Sequence, residues 1–220
     1  IISSDRKTKI LSSSDSGIFK SFERISLKNI EFSYPNTNKP AIKDLTVEIN
    51  KSDVVGFIGS SGSGKTTLID LILGLLEPQK GSLYYNDNAL DNSSINQWRS
   101  SVAYLPQDVF LVDDTLEKNI ALGVFDQDID RNKVLEAIER ARLKDLVDNL
   151  PNGKETIIGE RGIRVSGGQK QRISLARAFY HEREVLVMDE STSALDTKTE
   201  QEIVEEINHL KGSKTMIVIA

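Results

Sequence analysis

Between the apolar run VVGFI and the apolar stretch TTLIDLILGLL lies GSSGSGKT, residues 59–66. The pattern is G-x-x-x-x-G-K-[ST], set between a strand signal and a helix signal, and it leaves few folds open. VVGFI is short and apolar throughout, which suits a strand covered on both faces, as in a parallel sheet. The segment after the loop is apolar on most of its surface, so it reads as a helix packed into a core. Glycines between them let the backbone curl until several N–H groups converge on one anion. The helix N-terminus adds its positive end. Lys65 adds a full charge, worth roughly 5 kcal/mol against one anionic oxygen at ~3 Å and an effective dielectric near 20, before desolvation. Gly59, Ser60, Ser61, Gly62, Ser63, Gly64, Lys65, Thr66 and Thr67 are therefore expected to form a phosphate site, with the Thr66 hydroxyl available to a divalent cation.

The rest of the chain fits an α/β domain around that loop. Alternation in ISLKNIEFSY (Ile25, Leu27, Ile30, Phe32, Tyr34) and LTVEI (Leu45, Val47, Ile49) predicts half-buried strands. SLYY and VAYLPQ add further strands, the second ended by Pro106. From Asp113 to about Tyr180 the signals turn helical; Val134, Ala137, Ile138 and Ala141 form one stripe. Strands return in EVLVMDE and KTMIVIA, joined by the helical pattern EQEIVEEINHL, so these two strands are expected to run parallel. Residues 1–24 are rich in serine and charge and read as a linker or arm, with the folded domain over 25–220 and a helical insertion near 107–180.

Two more segments carry chemistry. VLVMDE ends a buried strand in Asp189 and Glu190. Adjacent side chains leave a strand in opposite directions, but a turn at its end can bring both carboxylates to one site. Asp189 would then hold Mg²⁺ and Glu190 would polarise a water for attack on a γ-phosphate; beside no phosphate loop, the pair would be only a solvated strand end. In VSGGQKQRISLARAFY, Ser166 and Gln169 have the spacing of a capping box that opens a helix. The same residues, with Gly167 and Gly168, present a hydroxyl and bare amides at a helix N-terminus, a second anion site. One chain would then carry two half-sites, and a head-to-tail pair of chains would close two whole ones.

GSSGSGKTT, LPQD, SGGQKQR, VLVMDE and STSALD, in that order, resemble the ATP-binding cassette domain of ABC transporters, over about residues 25–220. The resemblance implies a P-loop NTPase core with a mixed sheet, an antiparallel β subdomain and a helical insertion subdomain. It implies ATP and Mg²⁺ as ligands. It places Gln107 at the hinge between core and helical subdomain, near Mg²⁺ and the γ-phosphate. It makes Tyr34, otherwise a plain strand-end tyrosine, the aromatic that stacks on adenine, and Asp196 part of a loop that communicates across a dimer. Val165 stands where the family signature opens with Leu, a small apolar change. ETIIGERG, from Glu155 to Gly162, resembles the segment by which exporter-type cassettes touch their membrane domain; unaided, it reads as an exposed turn. The stretch ARAFYHEREVLVMDESTSALD is similar to flippases of lipid-linked oligosaccharides. The expected setting is the cytoplasmic face of a cell membrane, the bacterial inner membrane in particular.

Charge separates the alternatives. The 33 acidic and 28 basic residues leave a net charge of −5 with no basic stripe, which argues against a soluble ABC-type ATPase acting on nucleic acid or ribosomes. The absence of cysteine excludes disulfides and thiolate metal sites. The chain opens on Ile1 and closes in TMIVIA, so a piece of a longer polypeptide is expected, truncated at its C-terminus as its last strand ends. In the resembling family that strand leads directly to a histidine facing the γ-phosphate. Only His181 and His209 are present, neither in that position, so the expectation for this chain is retained ATP binding with slow hydrolysis.

Overall fold

A computed structural model describes residues 21–37, 39–91, 94–189, 201, 204–205 and 207–219. Two four-stranded sheets form the framework. The first is antiparallel, in the order β2 (Ile42–Asn50), β1 (Arg24–Phe32), β4 (Lys80–Tyr85), β5 (Asn88–Ala89). The second runs β3 (Val54–Phe57), β10 (Thr215–Ile219), β9 (Val185–Asp189), β6 (Val102–Leu105), and every pairing in it is parallel. A short ladder joins β7 (Asp114–Thr115) to β8 (Ile157–Ile158). The helices are α1 (Lys65–Ile72), α2 (Ile95–Ser100), α3 (Leu116–Ile120), α4 (Arg131–Arg140), α5 (Lys144–Asn149) and α6 (Gly167–His181).

The parallel sheet divides the core, and strand alternation decides which layer each residue joins. On β9, Val185 and Val187 pack in one cluster with α1 (Ile69, Ile72) and β1 (Ile25, Leu27). Leu186 and Met188 face the other way, into a cluster with α4 (Val134, Ile138) and α6 (Ile173, Ala176). β10 repeats the division: Ile217 and Ile219 join the first layer and Met216 the second. This explains why these strands read as unbroken apolar runs, since both faces are covered. The alternation has a consequence for the site. Asp189 follows Val185 and Val187 in the two-residue period, which directs it toward the α1 side.

The expected parallel pairing of EVLVMDE with TMIVIA is present, Thr215 opposite Val185 through Ile219 opposite Asp189. Gln201, Val204, Glu205 and residues 207–209 between them are helical. Two features depart from the sequence reading. The segment after Asp113, expected to be helical throughout, contains β7 and β8, whose pairing joins residues more than forty positions apart and leaves no local periodicity. Packing also reaches back before Ile25. Phe22 is fully buried against Trp98 (ring centroids 5.8 Å) and its backbone N–H donates to the Glu184 carboxylate at 3.2 Å. Trp98, on the unanticipated α2, donates from Nε1 to the Ile72 carbonyl at 2.7 Å and so fastens α2 to the end of α1. No helix among the described residues is long and apolar enough to cross a membrane.

Candidate functional site

In a parallel sheet, ligands gather outside the carboxyl ends of the strands. Here β3 runs into the glycine-rich loop, β9 ends at Asp189, and β6 runs into Pro106 and Gln107, all on one edge. A cavity of about 860 Å³ opens there. Its lining joins Gly59 through Thr67, Tyr34, Gln107 and Asp189, separated in sequence but expected together. Lys39, Pro40 and Ala41 complete one wall.

The loop is shaped by what its glycines permit. Gly64 is the N-cap of α1 at φ 96°, in the left-handed region. A Cβ there would stand 2.6 Å from the Ala41 carbonyl oxygen, so the loop and the Lys39–Ala41 wall touch through a residue that must lack a side chain. No side chain caps α1, which leaves the amides of its first turn facing the cavity edge. The Lys65 ammonium lies back over the loop, donating to the carbonyl oxygens of Gly59 and of Ser60 (3.3 Å). Tyr34 packs edge-on against Phe32 (5.0 Å between centroids), and its hydroxyl is 3.1 Å from the buried Thr67 Oγ1. Thr67 is thus a support for Tyr34 as well as part of the loop.

Asp189 has neighbours that the sequence reading missed. Asp70, on α1, is held above the usual carboxylate range by burial and then by the Asp189 charge. The Tyr104 phenol, on β6, is pushed up to about 12 by burial, by the charges of Asp189 and Asp70, and by its hydrogen bond to Asp189. The site floor therefore brings two carboxyl groups and a phenol together next to an amide-lined loop. One signal was present in the sequence: Asp70 is the lone acid inside LIDLILGLL, and a charge in an all-apolar helix marks a special environment. Tyr104 gave no comparable signal.

These residues suit Mg²⁺ with a nucleotide. The donors converging on the cavity, the Asp189 carboxylate, the Thr66 hydroxyl and the Gln107 amide, are hard oxygens, and the Gly64 contact preserves the cradle for phosphate. Among the described residues no group of three or more His, Cys, Asp or Glu forms a metal cage of its own.

Ser166, Gly167, Gly168 and Gln169 stand apart from this lining. They open α6 with a full capping box: Gln169 N–H donates to Ser166 Oγ (3.3 Å), and Ser166 N–H donates to Gln169 Oε1 (2.7 Å). The box occupies those two amides, while those of Gly167 and Gly168 belong to the helix positions that it leaves unserved. Ser166 and Gly167 are exposed. Glu190 and Asp196 lie outside the described residues.

The sequence matches the ABC transporter family over residues 42–193, a span that includes the phosphate loop, Gln107, the Ser166 helix and Asp189. The chain belongs to the ABC transporter family. The "ATP-dependent lipid A-core flippase" of Chromobacterium violaceum is 40% identical over 197 residues, covering 90% of this chain and 33% of the relative. "Heavy metal tolerance factor 1" of Caenorhabditis elegans is 39% identical over 89% of the chain and 24% of its own length. Among solved structures, a bacterial Atm1-family ABC exporter with ATP bound superposes with a TM-score of 0.82 at 32% identity, over 90% of this chain and 34% of that one. The chain spans about one third of the length of the flippase and exporter that it matches. These relatives favour the ABC exporter reading over a soluble ATPase acting on nucleic acid.

Proposed function

We propose that this chain is the ATP-binding and ATP-hydrolysing motor domain of an ABC exporter. The observation that carries the reading is the cavity itself: an amide-lined loop with Lys65, a strand-end carboxylate, Gln107 and an aromatic ring share one opening, while the Ser166 helix N-terminus stands outside it. Tyr34 receives adenine on its ring, and the loop amides with Lys65 hold the β- and γ-phosphates. Thr66, Gln107 and Asp189 hold Mg²⁺, which when bound neutralises charge that develops on the transferring phosphoryl group. Glu190 orients and polarises the attacking water.

The Ser166–Gly168 start of α6, exposed at Ser166 and Gly167, completes the site of a second copy, so two chains bind head to tail with ATP between them, and Asp196 lies at that junction. Residues 155–162 carry the contact to the membrane domain. The turn is well set for this. Arg161 N–H donates to Asp113 Oδ1 (2.9 Å), and Gly162 lies where a Cβ would meet the Ile157 carbonyl oxygen at 2.5 Å. Ile157 and Arg161 are left exposed on a braced surface. By similarity to the flippase, the cargo is a lipid or lipid-linked glycan, moved at the cytoplasmic face of the bacterial inner membrane. The test is ATP turnover by the full-length protein in liposomes. We expect turnover that needs Mg²⁺, rises with the cargo lipid and is lost in Asp189→Asn. Turnover unaffected by Asp189→Asn would remove the basis of the assignment.

A further inference from the structure

Gln107 and the Ser166 helix belong to opposite ends of the helical region, and one half-buried side chain ties them together. Arg177, three turns into α6, donates from Nε to the Asn119 carbonyl oxygen (2.7 Å), from Nη1 to the Phe110 carbonyl oxygen (2.9 Å) and from Nη2 to Asn119 Oδ1 (3.1 Å). Asn119, on α3 and fully buried, continues the network. Its Nδ2 donates to the carbonyl oxygens of Val112 (3.0 Å), Thr115 (3.1 Å) and Asp114 (3.3 Å), and its Oδ1 accepts from Val112 N–H (3.0 Å). The chain from Phe110 to Thr115, which follows Gln107, is thus bound through its backbone to the middle of α6. Val109 and Leu111 alternate with these polar contacts and enter the same apolar cluster as Ile173 and Leu175 of α6.

Taking even part of a guanidinium out of water is costly, and burial pushes that of Arg177 down to about 10. Replacing a buried charge with apolar groups is often neutral for stability, so net stability is a weak reason for an arginine here. The planar fork meets three acceptors at once, which an ammonium on a flexible stem does not reproduce.

Resting on the motor reading above, we infer that Arg177 is a positioning residue: with Asn119 it makes the segment that follows Gln107 and the α6 helix that Ser166 opens move as one body. Eleven residues separate Ser166 from Arg177, about 16 Å along the helix axis, so a small turn imposed at Phe110–Thr115 is delivered undamped to the Ser166 end. A γ-phosphate engaged by Gln107 in one chain thereby aims the half-site offered to the other.

The experiment uses the full-length protein in liposomes, with Arg177→Lys as the main variant and Asn119→Asp as the second. Asn119→Asp keeps acceptors for Val112 and Arg177 but removes the donations to three carbonyls. The 220 residues contain no cysteine, so spin labels on Asp108→Cys and Lys170→Cys, both exposed sites, are unique within them. In the otherwise unaltered protein the distance between labels should stay narrow and unchanged when ATP and Mg²⁺ are added. In each variant it should broaden or shift with ATP. Turnover should fall about tenfold while ATP affinity stays within about threefold, the split expected when coupling rather than binding is lost. A narrow, unchanged distance in both variants overturns the inference, whether turnover falls or not, because Arg177 would then be a packing residue only. A distance that shifts with ATP in the unaltered protein also overturns it. Absence of turnover in the unaltered protein would count against the motor reading instead, and the distances would still decide this one.

Discussion

Alanine at Gly64 should be far more damaging than alanine at Gly62, although both glycines lie in the same loop and both have positive φ, 96° and 76°. Placing an L-residue in the left-handed region costs roughly 1–2 kcal/mol at either position. At Gly62 nothing lies within 4 Å of the added Cβ, so that strain is the whole cost. At Gly64 the Cβ would stand 2.6 Å from the Ala41 carbonyl oxygen and 3.2 Å from Ile42 Cδ1. The isoleucine can turn aside, but the carbonyl is backbone at the start of β2 and moves only if the strand or the loop shifts. Forced overpacking of this kind costs roughly 1–3 kcal/mol more. The two walls that separate, the loop and Ala41, both line the nucleotide cavity, so ATP affinity should fall by about tenfold for each 1.4 kcal/mol that reaches the binding geometry. Urea unfolding of both variants gives the stability difference, and calorimetric titration with Mg-ATP gives the affinity. Equal unfolding midpoints and equal affinities for the two variants would refute the reasoning, because the extra cost at Gly64 is assigned to that contact.

Lys65→Ala should weaken ATP binding by at least about tenfold with an unchanged fold, since Lys65 is the full positive charge within the phosphate loop; fluorescence titration with labelled ATP checks this, and near-normal affinity would place the phosphates elsewhere. The His181 imidazole is held below its ordinary range by burial and by the Arg183 charge, against the pull of its contact with the Leu122 carbonyl. The unfolded chain therefore takes up that proton more readily. Its contribution to stability is complete above about pH 6.5 and is lost as pH falls below that toward the depressed folded value. His181→Gln should flatten this part of the pH dependence in urea unfolding between about pH 7.5 and about pH 5.

The glycine-rich loop and the strand and helix around it were legible because their pattern is local. Eight consecutive residues set the loop, and the apolar runs on either side set the strand and helix that position it. The two-sided burial of β9 and β10 was legible for the same reason, since unbroken apolar runs have one simple explanation in an α/β chain. What escaped the sequence depends on distant partners. Asp70 and Tyr104 acquire their character only when α1 and β6 bring them beside Asp189. The β7–β8 ladder and the Arg177–Asn119 network join segments that no periodicity relates. Phe22 looked like part of a polar arm because the arm's composition surrounds it, whereas Trp98 and Tyr85 make its position a core site. The capping box at Ser166 was legible as a spacing, but its place outside the cavity lining needed the fold.

The central claim is that each chain carries two half-sites and that ATP joins them between chains. Glu190→Gln tests it most directly, because it should keep nucleotide binding while blocking turnover, so that the ATP-bound assembly accumulates. Analytical ultracentrifugation of this variant, at rising concentration with and without Mg-ATP, is the measurement. A dimer that forms with Mg-ATP, and fails to form with it when Ser166→Ala is added, is the predicted result. A species that stays monomeric with saturating Mg-ATP, or a dimer indifferent to Ser166, would contradict the two-half-site arrangement.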